Sequence, residues 1–409
     1  MRILVAHNSY QKRAGEDAVV AAEMQQLAAH GDTVIPYRRY NDELRNITPL
    51  SSLSRAADTV WASRSSEHVS QLIANSKPDI AHFHNTFPLI SPAAYYACAE
   101  AGIPVVQTLH NYRLLCPAAT LMRKGHVCES CVGRRLPWPG IFRRCYRHSL
   151  TQTTALATML ATHTAMHTWD QKVDMYIALS EFARLKFVEG GLPRDRIVVK
   201  PNFVHPDPGP KKDPGEYALF VGRLVEEKGL RTLLQAWREL ADTVPLYIVG
   251  DGPLRHELQA QIQKLALSQI RMIGEVPREQ IFQWMHGARF LISPSLWYEG
   301  FPVTVVEAFA CGLPVIASEL GSLAEIIASG RTGLHFTAGD ATELARAIDW
   351  AWTHNDHVQR MSRQARLEFE RKYTAERNYR NLMRIYDQLL DQRDESRFAR
   401  TFSFSKAAS

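Results

Sequence analysis

Short runs of consecutive apolar residues recur along the chain, each followed by a longer stretch in which apolar residues return every three or four positions. The first run is Arg2–His7, where Ile3, Leu4, Val5 and Ala6 follow one another without polar alternation. Unbroken short runs predict strands covered on both faces, as in parallel sheets. Thr33–Tyr37, Ile80–His84, Val105–Leu109 and Met175–Leu179 repeat the pattern. A second series occupies Ala218–Val221, Leu246–Val249, Ile270–Ile273, Phe290–Ser293 and Val315–Ala317. The intervening segments, among them Asp17–His30 and Leu230–Thr243, have helical spacing. Strand and helix in alternation predict an α/β protein with two Rossmann-like units.

The two series are separated by Lys200–Glu216, which contains five prolines. That density excludes both a helix interior and a central strand. The expected layout is a first domain over 1–200, a linker over 201–216 and a second domain over 217–370. A last helix follows within 371–392, centred on Ala375–Leu390, and 393–409 reads as a loose tail. A chain of 409 residues suits two domains of roughly 200 residues each.

Composition adds little to this picture. An apolar fraction of 45% with 22% charge is ordinary for a water-soluble enzyme. The opening residues turn polar too soon for a secretory signal, and no run approaches the ~18–20 apolar residues of a membrane span. The expected location is therefore the cytoplasm, with peripheral contact to the inner face of the membrane left open. A net charge of +6 suits nucleic acid, phosphorylated substrates or anionic lipid alike, so charge does not choose among them.

The second series carries the chemistry. After its first strand comes Val221-Gly-Arg-Leu-Val-Glu-Glu-Lys-Gly-Leu230, where Gly222 and Gly229 bracket Arg223 and Lys228. Open α/β sheets bind ligands beyond the carboxyl ends of strands. There, an arginine can fork onto phosphate oxygens and a lysine can supply a point charge. Val249-Gly-Asp-Gly-Pro253 follows the next strand, and Gly252 permits close backbone approach. Ile273-Gly-Glu-Val276 repeats the turn one unit later, placing Val276 where backbone groups could read the edge of a base. Ser293-Pro-Ser-Leu-Trp-Tyr-Glu-Gly-Phe-Pro-Val-Thr-Val-Val-Glu307 is the most specific stretch. Glu299, Gly300 and Phe301 lie in a loop, and Val303 and Thr304 open a helix whose positive end favours an anion. Glu307 projects one turn inside that helix. Carboxylates beside an anion site suit sugar or ribose hydroxyls.

Gly222-Arg223-x4-Lys228-Gly229, the Glu299-x7-Glu307 pair and Glu307-Ala-Phe-Ala-Cys-Gly-Leu-Pro-Val-Ile-Ala-Ser318 together resemble family 4 of the retaining glycosyltransferases, the group 1 enzymes with the GT-B fold. The resemblance covers most of residues 1–390. It implies two Rossmann-like domains facing a cleft, with the last helix returning to the first domain. It further implies that Arg223 and Lys228 hold the donor diphosphate, that Glu299 binds donor-sugar hydroxyls and that Glu307 binds the ribose. On the same resemblance, His110 in Thr108-Leu-His-Asn-Tyr-Arg113 contacts the donor sugar. Gly15 in Ala14-Gly-Glu-Asp17 belongs to a phosphate- or acceptor-facing loop, with one glycine where the family usually has two. His84 and Asn85 end another strand and could line the same cleft.

Cys116, Cys128, Cys131 and Cys145 crowd an insertion over 116–148. The Cys-x2-Cys spacing is compatible with a four-thiolate structural zinc site, and plain apolar burial is the slightly stronger reading. The stretch 134–148 mixes arginines with Trp138 and Phe142, a combination suited to lipid headgroups, to anionic acceptors or simply to a solvated loop. The expected reaction is sugar transfer from a nucleotide-diphosphate sugar to a saccharide or lipid-linked acceptor, with retention, in cell-surface polysaccharide synthesis. No Asp-x-Asp metal clamp is present at the donor motifs, so no catalytic metal or cofactor is expected, and nucleic acid is not expected as a partner. Two other readings remain in play. A dinucleotide oxidoreductase lacks Gly-x-Gly-x-x-Gly after the first strand, and a zinc-containing nucleic-acid binder leaves the Glu-x7-Glu loop unexplained.

Overall fold

The structure, a computed structural model, describes residues 1–11, 15–44, 57–240 and 244–407, with the last helix given by its backbone alone beyond residue 395. The first sheet contains β1 (Arg2–Ser9), β2 (Thr33–Tyr40), β3 (Ile80–Asn85) and β4 (Val105–Leu109). A two-stranded antiparallel hairpin, β5 (Met122–Arg123) and β6 (His126–Val127), interrupts the series. Then β7 (Met175–Ala178) and β8 (Ile197–Val199) complete the sheet in the order β2-β1-β3-β4-β7-β8. All its pairings are parallel.

The second sheet comprises β9 (Tyr217–Val221), β10 (Leu246–Val249), β11 (Ile270–Gly274), β12 (Ala288–Ser293), β13 (Val315–Ser318) and β14 (Gly333–Phe336). Its order, β11-β10-β9-β12-β13-β14, is again wholly parallel. Chain order reverses at β1/β3 in the first sheet and at β9/β12 in the second, and ligands of such sheets sit outside the strand ends at these reversals. Every strand expected from the apolar runs is present. β8, β14 and the hairpin are additions too short to stand out in the sequence.

Two expectations about the connections need correction. Residues 201–216 are not a free linker throughout: Phe203 and Val204 are buried, and Val204 bridges to Thr374. Just before them, Lys200 is buried with its ammonium 2.8 Å from Glu23 and 2.6 Å from Asn378. The chain end is not a loose tail from 393 either, since one helix runs from Ala375 to Ala407. No proline or glycine breaks that stretch, so nothing local stops the helix. It returns to the first domain as expected. Leu382, Ile385, Tyr386 and Leu389 pack with Ile3, Val5 and Ile177, Tyr386 meets His82 at 2.7 Å, and Arg393 donates to the Asp79 carbonyl. The preceding helix, Asn355–Lys372, stays with the second domain through Ala365 and Phe369. Leu230–Glu239 is helical, shorter than the segment to Thr243, whose last three residues lie outside the described ones.

Candidate active site

The loop after β9 and the loop after β12 are drawn together by backbone. Gly229 has φ +68°, and a Cβ there would lie 1.8 Å from the Pro294 carbonyl oxygen, so only glycine fits. The Leu296 amide donates to the Glu227 carbonyl at 2.9 Å, closing the contact. This brings Lys228 Nζ to 2.6 Å from Glu299 Oε1, an oxygen that also accepts from the Ser295 hydroxyl at 2.6 Å. Burial pushes the Glu299 carboxyl up, but the Lys228 charge and the hydrogen bonds outweigh it and hold the group below its ordinary range. Glu299 is therefore an anion at neutral pH, with a cation beside it.

Arg223 lies in the same loop and is largely exposed, 3.8 Å from Glu227. At that distance and exposure the Arg223 guanidinium can turn toward an incoming anion. Gly222 leads into Arg223, and Gly252 packs so closely on the Leu224 backbone that a Cβ would come within 2.5 Å of its carbonyl oxygen.

Glu307 is buried in the helix Val303–Ala310, where Arg278 donates to it at 3.0 Å. Burial wins over Arg278 here, and the carboxyl titrates above its ordinary value. Arg278 was not foreseen, although a cation in the first turn of a helix, after the turn that holds Val276, was a signal against the usual dipole preference. Phe301 is buried against Tyr373. One detail differs from expectation: the Val303 amide already donates to the Phe301 carbonyl at 3.0 Å, so it is not a free donor. Thr304 sits in the first turn beside it, partly buried.

The first domain meets this loop at its own strand ends. A Cβ on Gly300 would lie 2.3 Å from the His110 carbonyl oxygen, and the Tyr112 hydroxyl points at the Glu299 carbonyl, 3.4 Å away. The His110 backbone thus lies against the loop after β12. Its Nε2 is 3.0 Å from His84 Nδ1, and burial with neighbouring histidines pushes its pKa down to about 3. Asn85 is turned inward, donating to the Asn8 carbonyl at 2.9 Å. Gly15 opens the first helix and is exposed, while Ala14 lies outside the described residues. Behind it stands a group that sequence reasoning passed over. His7 pairs with Asp17 at 2.9 Å, and the Tyr10 hydroxyl donates to Glu16 at 3.2 Å. Burial, then the Asp17 charge, raises the Glu16 carboxyl to about 8.

Two parallel α/β domains meeting through strand-end loops, with cations and carboxylates on one side and histidines on the other, define the GT-B glycosyltransferase architecture. Two family models match in series, Glycosyltransferase Family 4 over residues 13–208 and Glycosyl transferases group 1 over residues 204–368. The chain belongs to these glycosyltransferases. It is 32% identical over 248 residues to the phosphatidyl-myo-inositol mannosyltransferase of Mycobacterium leprae, covering 58% of this chain and 65% of that one. It is 28% identical over 218 residues to an uncharacterized glycosyltransferase of Methanocaldococcus jannaschii, covering 53% and 60%. The matches thus span less than two thirds of these relatives' own length. Among solved structures, HepE of Anabaena in complex with UDP superposes with a TM-score of 0.68 at 18% identity, over 95% of this chain and 100% of that one.

Proposed function

We propose that the protein transfers a sugar from a nucleoside-diphosphate donor to a hydroxyl of a saccharide or lipid-linked acceptor, with retention at the anomeric carbon. The observation that carries this reading is the 2.6 Å Lys228–Glu299 pair, set beside exposed Arg223 and against His110. Arg223 and Lys228 would take the diphosphate, and stabilise the charge that grows on it as the bond to the sugar breaks. Glu299, kept anionic, would accept bonds from sugar hydroxyls. Buried Glu307, held by Arg278, would accept from the ribose. The acceptor oxygen would bond to the anomeric carbon on the face the diphosphate leaves, and its proton would pass to the departing phosphate oxygen. Engagement by Lys228 and Ser295 suits Glu299 to binding rather than to covalent attack, which favours this same-face route. No catalytic metal or cofactor enters the proposal.

Solved HepE complexes contain UDP and UDP-glucose, and relatives include a mannosyltransferase acting on phosphatidyl-myo-inositol, which supports a nucleotide-sugar donor and a cell-envelope acceptor. Among the described residues no helix is long and apolar enough to cross a membrane. Exposed Leu136, Trp138 and Phe142 beside Arg134, Arg135, Arg143, Arg144 and Arg147 support docking at an anionic cytoplasmic leaflet. The deciding experiment is thermal unfolding with UDP, GDP, NAD or an oligonucleotide. A rise in Tm with UDP or GDP alone is expected, whereas protection by NAD or by the oligonucleotide would replace this reading. Co-sedimentation with vesicles containing anionic lipid, against neutral ones, tests the docking.

A further inference from the structure

The insertion over 116–148, between β4 and β7, is held by little regular structure. It contains the two-residue strands β5 and β6 and the short helix Trp138–Phe142. Among the described residues, ten non-glycine positions have positive φ, and six of them fall here: Ala119, Leu121, Lys124, Arg144, Arg147 and His148. Such conformations are unfavourable for residues with a Cβ and persist where surrounding constraints over-determine them. Apolar burial supplies part of the constraint, since Leu121 is fully buried in the core of the first domain, but around the short helix Trp138 is 54% exposed and Phe142 84%.

The cysteines are what the insertion gathers. The Cys128 amide donates to Leu121 at 2.7 Å, closing the β5–β6 hairpin so that Cys-x2-Cys follows directly from it. The Cys145 amide donates to the Gly140 carbonyl at 3.1 Å. A Cβ on Gly140 would lie 3.5 Å from Cys131 Sγ and 3.1 Å from Pro117, the neighbour of Cys116. Cys116, Cys131 and Cys145 are therefore folded around one glycine, while Cys128 Sγ lies 3.7 Å from Arg143 Nη1. Cys131 lies within electrostatic reach of all three other cysteines.

We propose that Cys116, Cys128, Cys131 and Cys145 form a four-thiolate structural zinc site that holds this insertion against the cleft. The hairpin followed by Cys-x2-Cys supplies two ligands, and the turns at Cys116 and Cys145 supply the others, a closed tetrahedral set. Among the described residues the group of three ligand atoms within 4.8 Å of one another is Glu23, His82 and His84. Lys200 already neutralises that group at Glu23, so it is left as an ion-pair network. No three of the four sulfurs lie within 4.8 Å of one another, against the ~3.8 Å separation that zinc–sulfur bonds of ~2.3 Å impose, so zinc would have to draw them in. Arg123 and Arg143 lie close enough to offset the negative charge of four thiolates.

The site has a consequence for the cleft. Glu129 lies between Cys128 and Cys131; it pairs with Lys186 at 2.8 Å and meets the hydroxyl of Tyr298, next to Glu299. Tyr146, just after Cys145, packs on Phe87 at the cleft of the first domain. Zinc would thus order both the insertion and a wall of the donor loop, since binding energy at such sites is folding energy.

The test is elemental analysis of the full chain purified without an affinity tag. About one zinc per chain is expected, falling below about a tenth in Cys128→Ser/Cys131→Ser. Because that variant can misfold, cobalt substitution of the wild-type chain is the second arm. Intense sulfur-to-cobalt charge transfer with tetrahedral d–d bands supports the site. Metal-free folded protein whose four thiols react freely with an aromatic disulfide overturns it, as does a cobalt spectrum without thiolate bands.

Discussion

Lys228→Ala separates the two jobs assigned to the Lys228–Glu299 pair. At 2.6 Å the pair is close, with Lys228 23% exposed and Glu299 7%. With an effective dielectric of about 20 the attraction is about 6 kcal/mol, and desolvation of the two ions, several kcal/mol each, cancels most of it. Removing the ammonium leaves a buried carboxylate that still accepts from Ser295 and faces the Trp297 side chain, and water can enter through the exposed side. A stability loss of about 1–3 kcal/mol is expected, below the ~3–5 kcal/mol of a fully enclosed pair. The effect on transfer should be larger, because the lysine would also face charge that develops on the diphosphate. Loss of one such group costs about 2–4 kcal/mol, roughly 30- to 1000-fold in kcat/KM. Thermal melts and the release of nucleoside diphosphate from UDP-glucose or GDP-mannose measure the two effects on the same samples. Glu299→Gln in the Lys228→Ala background removes the stranded charge. It should recover Tm and leave turnover low. The reasoning fails if Lys228→Ala turns over within about threefold of wild type, or if the double variant recovers kcat/KM along with Tm.

Glu307→Ala should weaken free nucleoside diphosphate by about 10- to 100-fold in calorimetry, the value of a charge-assisted hydrogen bond; unchanged affinity would rule out a ribose contact. Glu16 gives a pH signature: its folded pKa of about 8 lies above its ordinary value. Between those two values the unfolded chain has released a proton that the folded chain keeps, so this group makes stability fall as pH rises toward 8. Glu16→Gln should flatten that slope in melts from pH 5 to 9, and an unaltered slope would refute the burial argument. Lys200→Met strands Glu23 among buried groups and should cost about 3–5 kcal/mol in urea unfolding, with partial recovery in Glu23→Gln/Lys200→Met; a loss near zero would mean that the pair is open to water.

The sheets and the charged strand-end loops were legible in the sequence because they rest on local chemistry. Consecutive apolar residues such as Ile3–Ala6 can be satisfied only by a strand covered on both faces, and Gly229 could be suspected because tight loops at strand ends need positive φ. Arg223, Lys228 and Glu299 stood out for the same reason, as charges in turns just past such strands, and Glu307 as a carboxylate one turn inside the helix that follows. What those charges touch was decided by tertiary structure. The ion pair of Lys228 with Glu299 spans two loops joined only by the fold, and Arg278 reaches Glu307 from a separate helix. The His110–His84 contact joins two strand ends, so no periodicity encodes it. Burial likewise belongs to the assembled molecule. Lys200 reads as the start of a proline-rich linker, yet it is enclosed because the first helix brings Glu23 and the returning helix brings Asn378. The last helix runs past the expected start of a tail at 393, because a chain end frays only where a breaker or a missing partner lets it, and no proline or glycine stands there. Residue types and turn chemistry are carried by neighbours in sequence, whereas ionisation and partnership depend on long-range packing that removes water from particular groups.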